Sequence, residues 1–145
     1  MTDCIFCRIL AGELEGSIVF RDDVCTAFMD IQPVNAGHVL VVPNRHAPYL
    51  ADLDPAVSGH LMVIAQRLAA ALRASDVPCE GINLFLADGE AAMQEVFHVH
   101  LHVFPRFRGD SFSISADWSN KPPRSELDHA AGMIRLAYEG RHGVS

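Results

Sequence analysis

Positive charge is in short supply in this chain: eleven Lys and Arg stand against eighteen Asp and Glu, a formal charge of −7. That balance argues against polyanionic partners such as DNA, while leaving room for a small anion held by a few local donors. Long apolar runs are also missing. The opening residues Met1 to Arg8 show no basic stretch followed by a long apolar one, and no later segment reaches the length of a membrane span. The expectation is a soluble, cytoplasmic protein with neither a membrane nor a nucleic acid as partner. Cysteine is sparse, with Cys4, Cys7, Cys25 and Cys79 as the full set, which in a reducing compartment builds no disulfide framework. Repeats and low-complexity stretches are absent. Nothing in 145 residues, half of them hydrophobic, calls for more than one domain.

What is present divides into short strands, turns and helices. Asp3 is placed to cap a short helix from Cys4 to about Ala11, stopped by Gly12. Ser17 to Phe20 and Val24 to Met29 read as a hairpin turning at residues 21–23, and His38 to Val42 as a third strand between turn residues. Asp54-Pro55 opens a long helix whose Leu61, Ile64, Ala65, Leu68 and Leu72 keep the spacing of a buried stripe. Ile82 to Ala87 gives a fourth strand. Ser125 to Asp128 resembles a capping box for a last helix with a stripe of Leu127, Ala131, Ile134 and Tyr138, ending near Gly140. The expected fold is α+β: a five-stranded antiparallel sheet, one long helix and a C-terminal helix, with its core at about 3–108 and an extension over 109–145.

The fifth strand is the most informative segment. His98, His100 and His102 alternate with Val99, Leu101 and Val103, so a strand there puts three imidazoles on one face and the aliphatic residues on the other. A solvated face that is merely rich in histidine would read the same way. The chemical reading is sharper. Neutral imidazole, with an ordinary pKa of about 6.5, is a nucleophile that can attack a phosphoryl or nucleotidyl phosphorus, while neighbouring imidazoles bond the phosphate oxygens. His100, flanked on both sides, needs an acceptor on its second ring nitrogen, a backbone carbonyl being the natural one, to leave the attacking nitrogen bare.

Gly81-Ile-Asn83 and Gln94-Glu-Val-Phe-His98-Val-His100-Leu-His102-Val-Phe-Pro-Arg106 resemble the signature of the histidine triad (HIT) family of nucleotide-binding proteins. Cys4-Ile-Phe-Cys7, Ala27-Phe-Met-Asp30-Ile-Gln-Pro33 and Gly37-His38 through His46 resemble its upstream blocks. The resemblance implies a HIT-like fold, a homodimer with the sheet continued across two subunits, and a nucleotide substrate. It makes His100 the nucleophile with His102 and His98 beside it, and sets Gln94 near the leaving group and phosphate. It further gives Asn83 to ribose or phosphate, Asp30 to the ribose hydroxyls, His38 a place close to the triad, and Phe6, Phe28 and Ile31 the slot for the base. The implied activity is hydrolysis of purine nucleoside phosphoramidates or related conjugates. Dinucleoside polyphosphate cleavage, or a nucleotide-binding regulator of negligible turnover, is the alternative.

In bacterial relatives of this kind the cysteine pair binds a structural zinc, and the resemblance assigns Cys4, Cys7, His46 and His98 as its ligands, the Cys2His2 set that tetrahedral zinc accepts. Two buried thiols without a metal would satisfy the spacing equally. The chain departs from the family where Met93 stands in place of a common glycine, Asp88 in place of a frequent asparagine, and Glu95 where several eukaryotic relatives carry serine.

Overall fold

A computed structural model describes residues 3–143. The chain divides into two compact units, one reaching Phe112 and the other running from Ser113 onward. The first holds α1 (Ile5–Leu10), β1 (Ile18–Arg21), β2 (Cys25–Met29), β3 (Val39–Pro43), α2 (Pro55–Ala74), β4 (Gly81–Phe85) and β5 (Leu101–Arg106). The second holds α3 (Arg124–His142). The five strands form one antiparallel sheet in the order β1-β2-β3-β5-β4, as the pattern of alternation and turns leads one to expect.

Local chemistry explains where the elements begin. Asp54 accepts the Ala56 N–H at 2.8 Å and Pro55 occupies the first turn, so α2 is capped as expected. Its stripe of Leu61, Ile64, Ala65, Leu68 and Leu72 is buried against Ala27, Val39, Val41, Val99, Leu101 and Val103, one face of the sheet. Each large aliphatic residue buried there contributes about 2 kcal/mol of transfer free energy. At the β1–β2 turn, Asp22 Oδ1 accepts the Val24 and Cys25 N–H groups at 2.8 Å each. Its Oδ2 lies 2.6 Å from His60 Nε2, which ties the hairpin to α2. Before β3 the chain passes through Gly37 at φ +95, where a Cβ would meet Val77 Cγ1 at 2.8 Å and Leu72 Cδ2 at 3.0 Å. Conformation and space both require glycine there.

Four expectations about element ends are corrected. Cys4, not Asp3, is the N-cap of α1, and no side chain accepts there, because Asp3 lies one residue too early. The Ser125–Asp128 capping box does not form. Pro123, extended at ψ 156, ends the loop, so α3 starts at Arg124 and Ser125 sits inside the first turn. Gly140 is helical, and the helix stops at Gly143 with φ 72. Leu127, Ile134 and Tyr138 of its stripe are exposed. Finally, β5 begins only at Leu101, where pairing with β3 starts. Residues 98–100 lie outside the ladder, with His98 at a bend, and Val99 N–H donates to Ala47 C=O at 2.8 Å.

Candidate active site and metal cluster

The register sorts the side chains. Leu40 pairs with His102, Phe85 with His102, Asn83 with Phe104 and Phe28 with Leu40, and cross-strand partners share a face. That face is opposite to α2, whose partners are Val99, Leu101 and Val103. Phe6 of α1 closes one end of it, packed with Phe28, Leu40 and Val42. Its ring meets Phe28 edge-on at 5.4 Å, His100 at 5.1 Å and His98 at 5.9 Å. Of the residues expected around a base, Phe6 and Phe28 are thus brought together, whereas Ile31 is 91 % exposed on the β2–β3 loop.

The hydrogen bonds set the tautomers of His100, His38 and His102. His100 Nδ1 lies 2.7 Å from the His98 carbonyl; a carbonyl only accepts, so Nδ1 carries the hydrogen and Nε2 keeps a bare lone pair. This is the backbone acceptor that the sequence could not show. His38, 3 % exposed, receives the Val34 N–H on Nδ1 at 3.0 Å, so its hydrogen sits on Nε2 and is donated to His102 Nδ1 at 2.8 Å. His102, its Nδ1 accepting, then holds its hydrogen on Nε2. Burial, and after it the neighbouring His100 and His38, push the His102 pKa down to about 4. The ring is a neutral donor at physiological pH. Burial lowers the His38 pKa as well, while the Asp30 carboxylate stands 3.5 Å from His38 Nε2 and 3.9 Å from His102 Nδ1. Asp30 Oδ1 accepts the Gln32 N–H at 2.8 Å, which fixes the carboxylate at the start of its loop.

His98 is turned the other way. Its Nε2 donates to the Pro43 carbonyl at 2.8 Å, leaving Nδ1 for a group of candidate ligands. Cys4 Sγ is 3.5 Å, Cys7 Sγ 3.6 Å and His46 Nδ1 3.2 Å from it, and Cys7 Sγ to His46 Nδ1 is 3.3 Å. A tetrahedral zinc with ordinary Zn–S and Zn–N lengths has N–N edges of about 3.3 Å and N–S edges of about 3.5 Å. The four donors therefore fit such an ion, and all lie within 4.8 Å of one another.

Gln94 is held by the protein's own backbone. Its side chain is buried, with Oε1 accepting the Gly89 N–H at 2.7 Å and Nε2 donating to Pro48 C=O at 2.7 Å and Val96 C=O at 3.2 Å. The amide is occupied in holding the loop before the histidines. Next to it, Met93 has φ 68 and ψ 29, the one non-glycine among the described residues with positive φ. Asp88 accepts the Leu50 N–H at 2.9 Å and so braces the turn at 50–52. Asn83 Oδ1 accepts from Arg106 Nη1 at 2.8 Å. Arg106, Asp110 and Asn35, which form a network beside the site, were not singled out from sequence. Asn35 and Asp110 lie 75 positions apart, and only the alternation along β5 hints that Arg106 shares the histidine face.

A model of the HIT domain matches residues 11–109. A HIT-like protein of Borreliella burgdorferi is 42 % identical over 113 residues, covering 77 % of this chain and 81 % of that one. A crystal structure of a HIT family protein from Bacillus anthracis superposes with a TM-score of 0.84 at 34 % identity, over 93 % of this chain and 96 % of that one. A zinc-bound histidine triad family protein from Mycobacterium smegmatis gives 0.74 at 35 % identity, over 93 % and 97 %.

Proposed function

The chain belongs to the HIT domain family, and from that premise we propose that it hydrolyses purine nucleoside 5′-phosphoramidates or related nucleotide conjugates through a covalent nucleotidyl adduct on His100. The observation that carries the reading is the bare Nε2 of His100, made so by the 2.7 Å bond from Nδ1 to the His98 carbonyl. In the first step the Nε2 lone pair forms a bond to the α-phosphorus while the bond from phosphorus to the leaving amine breaks. The amine departs with one proton taken from solvent, and the positive charge that grows on the His100 ring is met by the carbonyl at Nδ1–H. His102 Nε2–H bonds a phosphate oxygen and stabilises charge there without changing its protonation state. Water then attacks the same phosphorus, the P–N bond to His100 breaks, and the nucleoside monophosphate leaves with a proton released to solvent. Asp30 accepts the two ribose hydroxyls, Asn83 donates to ribose or phosphate, and Phe6 and Phe28 line the base slot with Ile31 as its outer edge. Gln94 acts from the loop it holds, behind the leaving-group side.

The cluster of Cys4, Cys7, His46 and His98 is proposed to hold a structural zinc. It would join α1 to the strand end and fix the His98 carbonyl that orients His100, taking no part in the reaction. The proposed assembly is a homodimer with the sheet continued through β4, an edge strand whose Leu84 and Phe85 are exposed. No described helix is long and apolar enough to cross a membrane; the cytoplasm is the proposed location.

The test is to follow product release from adenosine 5′-phosphoramidate and from a diadenosine polyphosphate, each against His100→Ala. The expected result is turnover of the phosphoramidate that falls to background in the variant. Equal rates for parent and variant on both would refute an enzymatic role. Metal analysis of protein purified without chelator is expected to give one zinc per chain, and none in Cys4→Ser/Cys7→Ser; a metal-free parent would refute the zinc assignment.

A further inference from the structure

Beside the histidine row sits an ion pair whose carboxylate is buried and whose guanidinium is partly exposed. Arg106, the last residue of β5, engages Asp110 in a two-point clasp, Nε to Oδ2 at 2.6 Å and Nη2 to Oδ1 at 2.9 Å. The carboxylate is 3 % exposed and also accepts Asn35 Nδ2 at 2.8 Å and the Phe107 N–H at 3.3 Å. Nη2 donates further to the Phe112 carbonyl at 3.0 Å, and the guanidinium carbon lies 4.8 Å from the Phe112 ring centre. Nη1 donates to Asn83 Oδ1 at 2.8 Å.

The chemistry of the two groups fixes the orientation of the amide. A guanidinium has five N–H donors and no acceptor, so the face of the Asn83 amide that it meets must be the oxygen. The amide NH2 is then turned away from Arg106, on the face of β4 that pairs with Phe104 and lies alongside His102. Without this partner an asparagine amide can present either end, and the wrong one would set an oxygen against a phosphate oxygen, which only accepts.

We infer that Arg106, clamped by Asp110, is a positioning residue that holds the Asn83 amide with its NH2 toward the nucleotide, an inference that rests on the reading of Asn83 in the proposed function. It touches no reacting atom and acts through Asn83 alone. Asn35, bonded to both Asp110 and the Pro105 carbonyl at 2.9 Å, ties the same clasp to the loop that carries Asp30 and His38.

The experiment is a double-mutant cycle of Arg106→Met and Asn83→Ala, read as kcat/KM for adenosine 5′-phosphoramidate and as the calorimetric affinity for AMP. Each single variant is expected to lose about 10-fold in kcat/KM, and the double variant no more than Asn83→Ala alone, because coupled partners do not add. The same non-additivity is expected in AMP affinity, a readout independent of turnover. A purely structural role would lower both quantities by the same factor in both backgrounds, and that result overturns the inference; so does an Arg106→Met variant with parental values. An impaired Asn83→Ala beside an unimpaired Arg106→Met sinks the inference alone. A parental Asn83→Ala sinks the assignment of Asn83 and the inference with it. If Arg106→Met fails to fold, Arg106→Lys, which keeps the charge but not the fork, takes its place under the same criterion.

Discussion

Replacing Gln94 by alanine distinguishes a residue that holds a loop from one that faces substrate. In the structure the amide makes three bonds, to Gly89 N–H, Pro48 C=O and Val96 C=O, from a side chain that is 4 % exposed. Net, an ordinary internal hydrogen bond contributes about 1 kcal/mol, and a buried partner left unpaired costs that or more. The 3.2 Å bond to Val96 is the weakest of the three, and a small cavity adds to the loss. The expected destabilisation is about 2 to 3 kcal/mol, which for a chain of this size lowers the melting temperature by roughly 6 to 10 °C. Differential scanning calorimetry measures it directly. Gln94→Glu is expected to be no better, because a carboxylate would face two carbonyl oxygens in place of the NH2 that bonds them. An alanine variant that melts within about 1 °C of the parent would refute the clamp.

Two further perturbations probe the same geometry. Met93→Gly removes the cost of a left-handed backbone, about 1 to 2 kcal/mol for a side-chain-bearing residue, against about 0.5 to 1 kcal/mol of added chain entropy in the unfolded state. The variant is expected to melt slightly higher in a thermal-shift assay, and a clear drop would contradict the strain. Asp22 tests the hairpin. Its carboxyl is held down to about 2, first by the Cys25 N–H and then by His60 and the Val24 N–H. A pKa below the unfolded value of 3.8 means stability that is full above about pH 4 and lost as pH falls toward 2. Discounted for partial exposure, this amounts to about 1 kcal/mol. Urea unfolding at pH 5 and pH 2.5 is expected to show a smaller acid loss in Asp22→Asn than in the parent, and equal losses would contradict it.

What the sequence makes legible is whatever rests on local period. The alternation at 98–103 puts Val99, Leu101 and Val103 in the core under α2 and His100 beside His102 on the other side, even though the strand itself starts only at Leu101. The stripe on α2 is likewise a matter of 3.6-residue spacing, and the structure buries it. The same spacing on α3 leads nowhere, since period reveals which side chains share a face and not whether anything covers it. Contacts that join distant parts of the chain are invisible to this kind of reading. Gln94 looks free for a ligand until Pro48, forty-six residues away, takes its NH2. Asn83 has no fixed orientation until Arg106 meets its oxygen. The tautomer of His100 rests on the His98 carbonyl only two residues back, yet it depends on how the chain bends before β5.

The central claim is that His100 Nε2 becomes covalently nucleotidylated. Rapid denaturing quench of the parent during turnover of adenosine 5′-phosphoramidate, under non-acidic conditions, followed by peptide mass spectrometry, measures it most directly. One adenylyl group is expected on the peptide that carries residues 98–106, sited on His100 and absent from His100→Ala. Steady turnover with no adduct, or an adduct on His98 or His102 instead, would contradict it.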